Sequence, residues 1–399
     1  MRRSAIGAVT AQGSQALASF VLQILVARIL GLEGLGVFAI LYGVIVLASG
    51  VLSGFVGDSL VVLDRFDRAI RSALEQYAVA LGVAVGVIAA VIAWAAGLID
   101  GVEAVLFATA ILAFVLEELL RRMLMAHLAF WKVAAVDLLG FVIALGVLGG
   151  ASRATAITLS TFLLALTIGQ TAALVAAAVL LPREDRYLVK FVRGGYRAVA
   201  AYGTWRSLQQ FLRPALLTVV RTLVTVFAGL AATGLLEAAR IYVAPALLII
   251  SGLSSFLFVS FAKDKASPIG ARLRRADKAV MVLVGGTVGI GIVALLALPL
   301  VGPLLFDATP DLVAVLGWLA FAASVAAVTP YGALAAVAGK QAVVFAMRVA
   351  DTVISVALVL AGLAAGMDVA YAAVLLSVGS LAGGAAIRIF LLRPLARGD

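Results

Sequence analysis

Cysteine is absent from the 399 residues and histidine occurs once, as His127. The missing cysteines exclude disulfides, thiolate metal sites and cysteine nucleophiles. His127 falls between two apolar runs, where a solvated loop side chain is expected rather than a ligand or a proton relay. Charge is scarce as well, at 13% of residues against 64% hydrophobic, with a mean hydropathy of +1.19. Water-soluble domains do not have this composition. No paired carboxylates, nucleophile–base pair or metal cluster falls on an aqueous loop, so no enzyme, cofactor or metal site is expected. A cleavable leader is not expected either: the first apolar run is too long, and Gln12, Gln15 and Gln23 interrupt it without a small-residue cleavage site.

What is there is a series of twelve apolar runs, at 6–29, 36–62, 77–99, 103–120, 133–150, 154–181, 205–228, 235–261, 279–300, 311–338, 341–364 and 368–392. The cations between them alternate. Arg2, Arg3, Arg65, Arg68, Arg71, Arg121, Arg122, Lys132, the loop 182–198, the loop after residue 262, Lys340, Arg393 and Arg397 lie on one side, and account for 22 of the 30 Lys and Arg residues. The loops on the other side carry only Arg153. Cations stay cytoplasmic because translocating them is costly, which predicts an all-α polytopic membrane protein with both termini in the cytoplasm. The net charge of +10 is then a matter of loops facing anionic headgroups, and nucleic acid is not an expected partner. Trp94, Trp131 and Trp205 fall at run ends, where aromatic belts form. The excess of arginine over lysine, with abundant alanine and valine, points to a bacterial source and so to its cytoplasmic membrane.

The two halves of the chain share features in the same order. Gly31-Leu32-x-x-x-Gly36 recurs as Gly229-Leu230-x-x-x-Gly234, Ser49–Ser53 resembles Ser251–Ser255, and Asp137 has a counterpart in Asp351. Two six-helix bundles, 1–181 and 199–399, are expected, joined by the basic stretch 182–198. Six is even, so the repeat is parallel, and a substrate pathway between the halves is expected.

On a helical wheel, Gln12, Gln15, Ser19 and Gln23 of the first run fall within about 80°. Tyr202, Arg206, Gln209, Gln210, Arg213 and Arg221 of the seventh fall within roughly 120°. The repeat superposes Gln12 on Gln210, Gln15 on Arg213 and Gln23 on Arg221, so the same face is polar in both halves but cationic only in the second. An arginine deep in a bilayer costs at least ~2.5 kcal/mol. Arg206 either snorkels to the cytoplasmic interface or faces a cavity. For Arg213 and Arg221 the alternatives are an ion pair with Asp137, Glu237 or Asp351, or a water-filled path for an anion. Pro214 removes a helix hydrogen bond and is expected to bend the seventh run. Glu237 with Arg240, and Arg348 with Asp351, are three apart and read as self-neutralising pairs. Glu117 and Glu118 pair locally with Arg121 and Arg122. Arg28 either holds an extracytoplasmic gate or caps its helix end.

The segment Ala27-Arg28-Ile29-Leu30-Gly31-Leu32-Glu33-Gly34-Leu35-Gly36-Val37-Phe38-Ala39 resembles the "ARxLGxxxxGxFA" signature of polysaccharide-type flippases in the multidrug/oligosaccharidyl-lipid/polysaccharide (MOP) exporter superfamily. Gly234–Arg240, with Pro245 and Gly252, resembles the start of that family's eighth helix. The resemblance implies a V-shaped pair of six-helix bundles around a central cavity, acting by alternating access. It implies a polyprenyl-pyrophosphate-linked glycan as the substrate, moved from the inner to the outer leaflet, by a monomer working beside the glycosyltransferases or polymerase of the same pathway. Arg206, Arg213 and Arg221 would then hold the pyrophosphate, to whose oxygens guanidinium is matched. Gln12, Gln15, Gln23 and Gln210 would contact sugar hydroxyls, and the prenyl tail would stay in membrane lipid. Buried Asp137, Glu237 and Asp351 could couple to protons or sodium. Lipid II flippases have two further helices that this chain has no room for. Cation-coupled drug exporters of the superfamily would call for carboxylates where this stripe has arginine. A scaffold of a glycan-assembly complex is the non-transport alternative.

Overall fold

A computed structural model describes residues 2–64, 66–186, 192–263 and 268–397, with the side chains of 2–6, 8, 9, 61, 251–260, 262 and 263 left aside. Arg65, Lys190 and Lys265 of the basic loops lie outside the described residues. So does the middle of the 182–198 stretch, and so do the side chains of Arg2, Arg3, Lys263 and the Ser251–Ser255 copy.

The described residues form ten long helices. They are α1 (Arg2–Leu52, continued by a wide turn over Ser53–Gly57 and by Asp58–Val62), α2 (Arg68–Ala95), α3 (Gly101–Ala126), α4 (Phe130–Ala151), α5 (Leu159–Leu180), α6 (Tyr196–Lys263), α7 (Ile269–Phe306), α8 (Leu312–Val337), α9 (Gln341–Ala364) and α10 (Ala372–Ala386, running on through Ile387–Leu392 to Arg393–Arg397). Twelve apolar runs thus appear as ten continuous helices, because the first run joins the second in α1 and the seventh joins the eighth in α6. Each fusion carries one non-helical residue, Gly31 (φ 70°) in α1 and Gly229 (φ 87°) in α6. A left-handed φ is open to glycine at little cost. These are the first glycines of the repeated Gly-Leu-x-x-x-Gly motif. The break in α6 therefore falls at Gly229, and Pro214 sits within helix.

Among the described residues, nine helices are long and apolar enough to cross a membrane. The exception is α3, which carries Glu103, Glu117, Glu118, Arg121 and Arg122. Exposure on these helices is inverted relative to a soluble protein: Val282, Leu296, Leu300 and Leu304 of α7 are each largely exposed, as an apolar face meant for lipid must be. Hydropathy set helix starts too late and the end of α3 too early. Arg68 and Arg71 lie in α2, Arg121 and Arg122 in α3, and Arg272, Arg274, Arg275 and Lys278 in α7, all placed by the sequence in loops. The true starts carry caps that hydropathy does not see. Asp67 accepts from Ala69 N (2.8 Å), Asp100 and Glu103 bond reciprocally (2.8 and 3.1 Å), and Asp311 accepts from Ala314 N (2.8 Å).

The chain divides into two compact units, one of residues 1–30 and 37–218, the other of 31–36 and 219–399. In the first, α3 packs on α2 and α5, and α5 on α4. The α4–α5 approach is close because Gly140 meets Gly169 and Ala173. In the second, α8 packs on α7 and α10, and α9 on α10. The second unit also contains a reciprocal crossing: Gly36 lies against the Leu230 carbonyl, and Gly234 against the Leu32 carbonyl. A side chain at either position would overlap a backbone oxygen. The closing glycine of each copy of the motif thus packs on the leucine of the other copy.

Candidate functional site

In the first unit, the wide turn over Ser53–Gly57 delivers Asp58 to a pair of guanidinium groups. Arg206 Nη2 lies 2.7 Å and its Nε 2.8 Å from Asp58 Oδ2, while Arg122 Nη1 lies 2.5 Å from Oδ1. Gln210 Nε2 donates to Oδ2 at 3.1 Å, and Gln209 Oε1 accepts from Arg206 Nη1 at 2.8 Å. Glu118 takes the far side of Arg122 at 3.3 Å. The start of α6 is held to α1 beside this cluster, where Ser207 Oγ donates to Val51 O at 2.8 Å. A cavity of about 350 Å³ opens here, lined by Asp58, Val62, Arg122, Met125, Ala126, Tyr202 and Arg206.

A second, small cavity of about 60 Å³ lies deeper in the same unit, lined among others by Gln15, Ser19, Tyr42, Glu117, Asp137 and Gln170. Asp137 is anchored: Arg121 reaches it at 3.1 and 3.3 Å, and Ser14 Oγ donates to it at 2.9 Å. Arg121 also donates to Ala11 O at 3.1 Å. Glu117 is buried, and its Oε1, like Gln170 Oε1, has no hydrogen-bond partner among the described residues.

In the second unit, Glu237 is buried and receives two cations. Arg221 grips both its oxygens at 3.0 and 3.1 Å, and Arg240 pairs with it from one turn further along α6. Arg348 meets Asp351 at 3.2 Å on α9. Arg388 grips Asp277 at 2.9 and 3.0 Å, and Tyr331 Oη donates to Asp277 at 2.8 Å.

The predicted residues therefore fall into separate groups. Arg206 and Gln210 meet on Asp58. Arg221, Glu237 and Arg240 form one cluster; Arg348 and Asp351 form another. Gln15 shares the deeper cavity with Asp137. Gln12, Arg28 and Arg213 are exposed. Gln23 is buried and turns back onto Ser19, at 3.0 Å to its carbonyl and 2.9 Å to its hydroxyl. Arg206 pairs with Asp58 and lines the cavity beside it. Of the pairings open to Arg221, the one with Glu237 forms. The local reading of Glu117–Arg122 holds for Glu118 with Arg122 (3.3 Å) and with Arg121 (3.6 Å), and Arg121 also reaches across to Asp137. His127 is no solvated loop side chain, since its Nε2 lies 2.6 Å from Asp185 Oδ2. Among the described residues, no group of three or more His, Cys, Asp or Glu is arranged to hold a metal ion.

No family model and no curated protein matches the chain by sequence. Its fold is that of solved transporters. A multidrug resistance MATE family transporter of the MOP superfamily in an outward-facing conformation superposes with a TM-score of 0.67, at 14% identity over 100% of this chain and 96% of that one. An inward-facing conformation of such a transporter gives 0.65, at 13% identity over 96% of both chains. A MOP superfamily transporter from Pyrococcus furiosus, described as having a binding pocket of reverse polarity that suggests a different function, gives 0.64, at 13% identity over 99% of this chain and 96% of that one. The chain has the fold that these MOP superfamily transporters share.

Proposed function

We propose that this protein is a membrane transporter that carries an anionic, lipid-linked headgroup, a polyprenyl-pyrophosphate-linked glycan, from the inner to the outer leaflet by alternating access. The observation that carries this reading is where the exposure lies within the ion pairs. The side chain of Arg206 is 39% exposed and that of Arg122 24%, while the Asp58 between them is 13% exposed. Arg221 and Arg240 are likewise more exposed than Glu237, and Arg348 more than Asp351. In these pairs the carboxylate is turned in and the guanidinium out. With the exposed Arg213, these arginines are the groups that an anion could reach, and guanidinium is suited to phosphate oxygens. One solved protein of this fold is described as having a binding pocket of reverse polarity that suggests a different function, which supports reading function from the pocket's charge.

With α3 and each limb of α1 and α6 counted as spans the chain would cross twelve times, an even number that puts both termini on one side, and the basic loops on that side support a cytoplasmic assignment at a bacterial inner membrane. Monomeric action, and work alongside glycosyltransferases or a polymerase, belong to the same reading. The test is a lipid extract from cells lacking the protein, complemented by wild type or by a membrane-inserted Arg213→Ala/Arg221→Ala variant. Polyprenyl-pyrophosphate glycans held on the cytoplasmic side, relieved by wild type alone, are the expected result. Intact surface polymers and no accumulation, in a strain without a redundant flippase, would refute it.

A second reading has one observation of its own. The buried Glu117, with an unpartnered oxygen beside Gln15, Asp137 and Gln170, offers a seat for a proton or a small cation and so suits a cation-coupled drug exporter. Export of organic cations that is lost in Glu117→Gln, with lipid-linked glycans unaffected, would favour it.

A further inference from the structure

We infer that Asp58 is a built-in stand-in for the substrate's pyrophosphate, and that Arg122, with Arg206, receives that group when it displaces Asp58. The inference rests on the lipid-pyrophosphate reading for the class of anion, and adds two residues that the arginine stripe of α6 does not contain.

The argument begins with valence. One carboxylate accepts from two guanidiniums and an amide: Arg122 on Oδ1, and Arg206 with Gln210 on Oδ2. A carboxylate carries one charge and two oxygens. A pyrophosphate carries more of both, so the same donors, which are geometrically fixed forks, would be better satisfied by it. The second step is access. The adjoining cavity of about 350 Å³ lies within the usual range of roughly 300–1,000 Å³ for small-molecule sites. Both arginines line it, and Tyr202 supplies a further wall.

The third step separates this cluster from the one at Glu237, which two arginines also grip. Glu237 is 2% exposed, and breaking a pair buried to that depth strands charge away from water. At Asp58 both arginines line the cavity and are 24% and 39% exposed, against 11% and 17% for the two on Glu237, so the Asp58 pairs are the more solvated and the weaker in net stability. Exchange is cheap at Asp58 and expensive at Glu237. Of the two clusters, only the first is suited to giving up its carboxylate for a ligand. Asp58 also follows the wide turn and precedes the end of its helix at Val62, so it can swing aside without unwinding a long helix. Its removal would free Arg206 of α6 from α1, linking arrival of the headgroup to release of that contact.

The experiment uses the full-length protein in phosphatidylcholine nanodiscs, with farnesyl pyrophosphate, inorganic pyrophosphate and farnesol as probes, read by titration calorimetry. Both pyrophosphates are expected to bind and farnesol not. Asp58→Asn should tighten pyrophosphate binding about tenfold, and Arg122→Gln should weaken it about tenfold, each a difference that titration resolves. Wild-type protein treated with phenylglyoxal gives a reading independent of any variant: pyrophosphate should protect Arg122 and Arg206 from modification. Wild-type binding that neither substitution changes, or the absence of protection at both arginines, overturns the inference and leaves the lipid-pyrophosphate reading standing. Binding of an organic cation with none of either pyrophosphate overturns both. A preference for farnesyl over inorganic pyrophosphate identifies the lipid-linked form as the ligand; equal affinity identifies the diphosphate itself.

Discussion

Replacing Glu237 by glutamine should destabilise the protein more than replacing either arginine that it holds. Glu237 is a counter-charge shared by Arg221 and Arg240, and it is the most deeply buried of the three. Removing one member of a buried pair costs about 3–5 kcal/mol when the remaining charge is stranded. The guanidiniums keep some exposure, so the lower end applies, about 3 kcal/mol. Arg221→Gln leaves Glu237 neutralised by Arg240 and loses mainly two charge-assisted hydrogen bonds, about 1.5 kcal/mol net. At roughly 2–4 °C per kcal/mol for a unit of this size, Glu237→Gln lowers Tm by about 6–12 °C and Arg221→Gln by about 3–6 °C. The double variant strands one cation fewer than Glu237→Gln and should recover part of the loss, a non-additivity expected of groups in contact. Intrinsic fluorescence during thermal unfolding of detergent-purified protein measures all three. If Arg221→Gln proves as damaging as Glu237→Gln, or the double variant equals the sum of the singles, then the cluster is not a shared pair and the reasoning fails.

Alanine at Gly36 or Gly234 places a methyl group on a backbone carbonyl and should cost about 3 kcal/mol, seen as loss of monodisperse protein on size exclusion. The same change at Gly285, which has open space around it, should be neutral or gain roughly 0.5–1 kcal/mol. Arg121→Lys keeps the charge but loses the fork that spans both Asp137 oxygens and Ala11 O, and should cost about 2 kcal/mol in thermal unfolding. Because the chain lacks cysteine, single probes report without background: Arg153→Cys should react with a membrane-impermeant maleimide on intact cells, and Lys340→Cys only after permeabilisation.

Much of the architecture could be read from the chain because lipid enforces simple rules. Spans must be long and apolar, and a repeated Gly-Leu-x-x-x-Gly motif marks matching backbone breaks at Gly31 and Gly229. Charged partners were harder. Glu237 and Arg240 are one turn apart, so helical spacing finds them. Asp58 lies 64 residues from Arg122 and 148 from Arg206, and no local pattern joins them. The same holds for His127 and Asp185, 58 apart. A signal for Asp58 existed in retrospect: an acidic residue at the end of an apolar run, on the side where basic residues outnumber acidic ones. Helix starts failed for a different reason. Hydropathy averages over a window, whereas a cap such as Asp67 or Asp100 is a property of one residue and its backbone.

The placement of residues 31–36 with the second unit, and of 196–218 with the first, bears on how the chain is made. A ribosome that has completed residue 181 has not yet supplied everything the first unit contains, and that unit closes only after residue 218 has entered the membrane. The stretch at 31–36, inserted early, waits for Leu230 and Gly234 to arrive. A gene cut within 182–198 would yield two fragments that each lack a piece of their own unit and carry a piece of the other. Expressed apart, both should be degraded; expressed together, they should rescue one another.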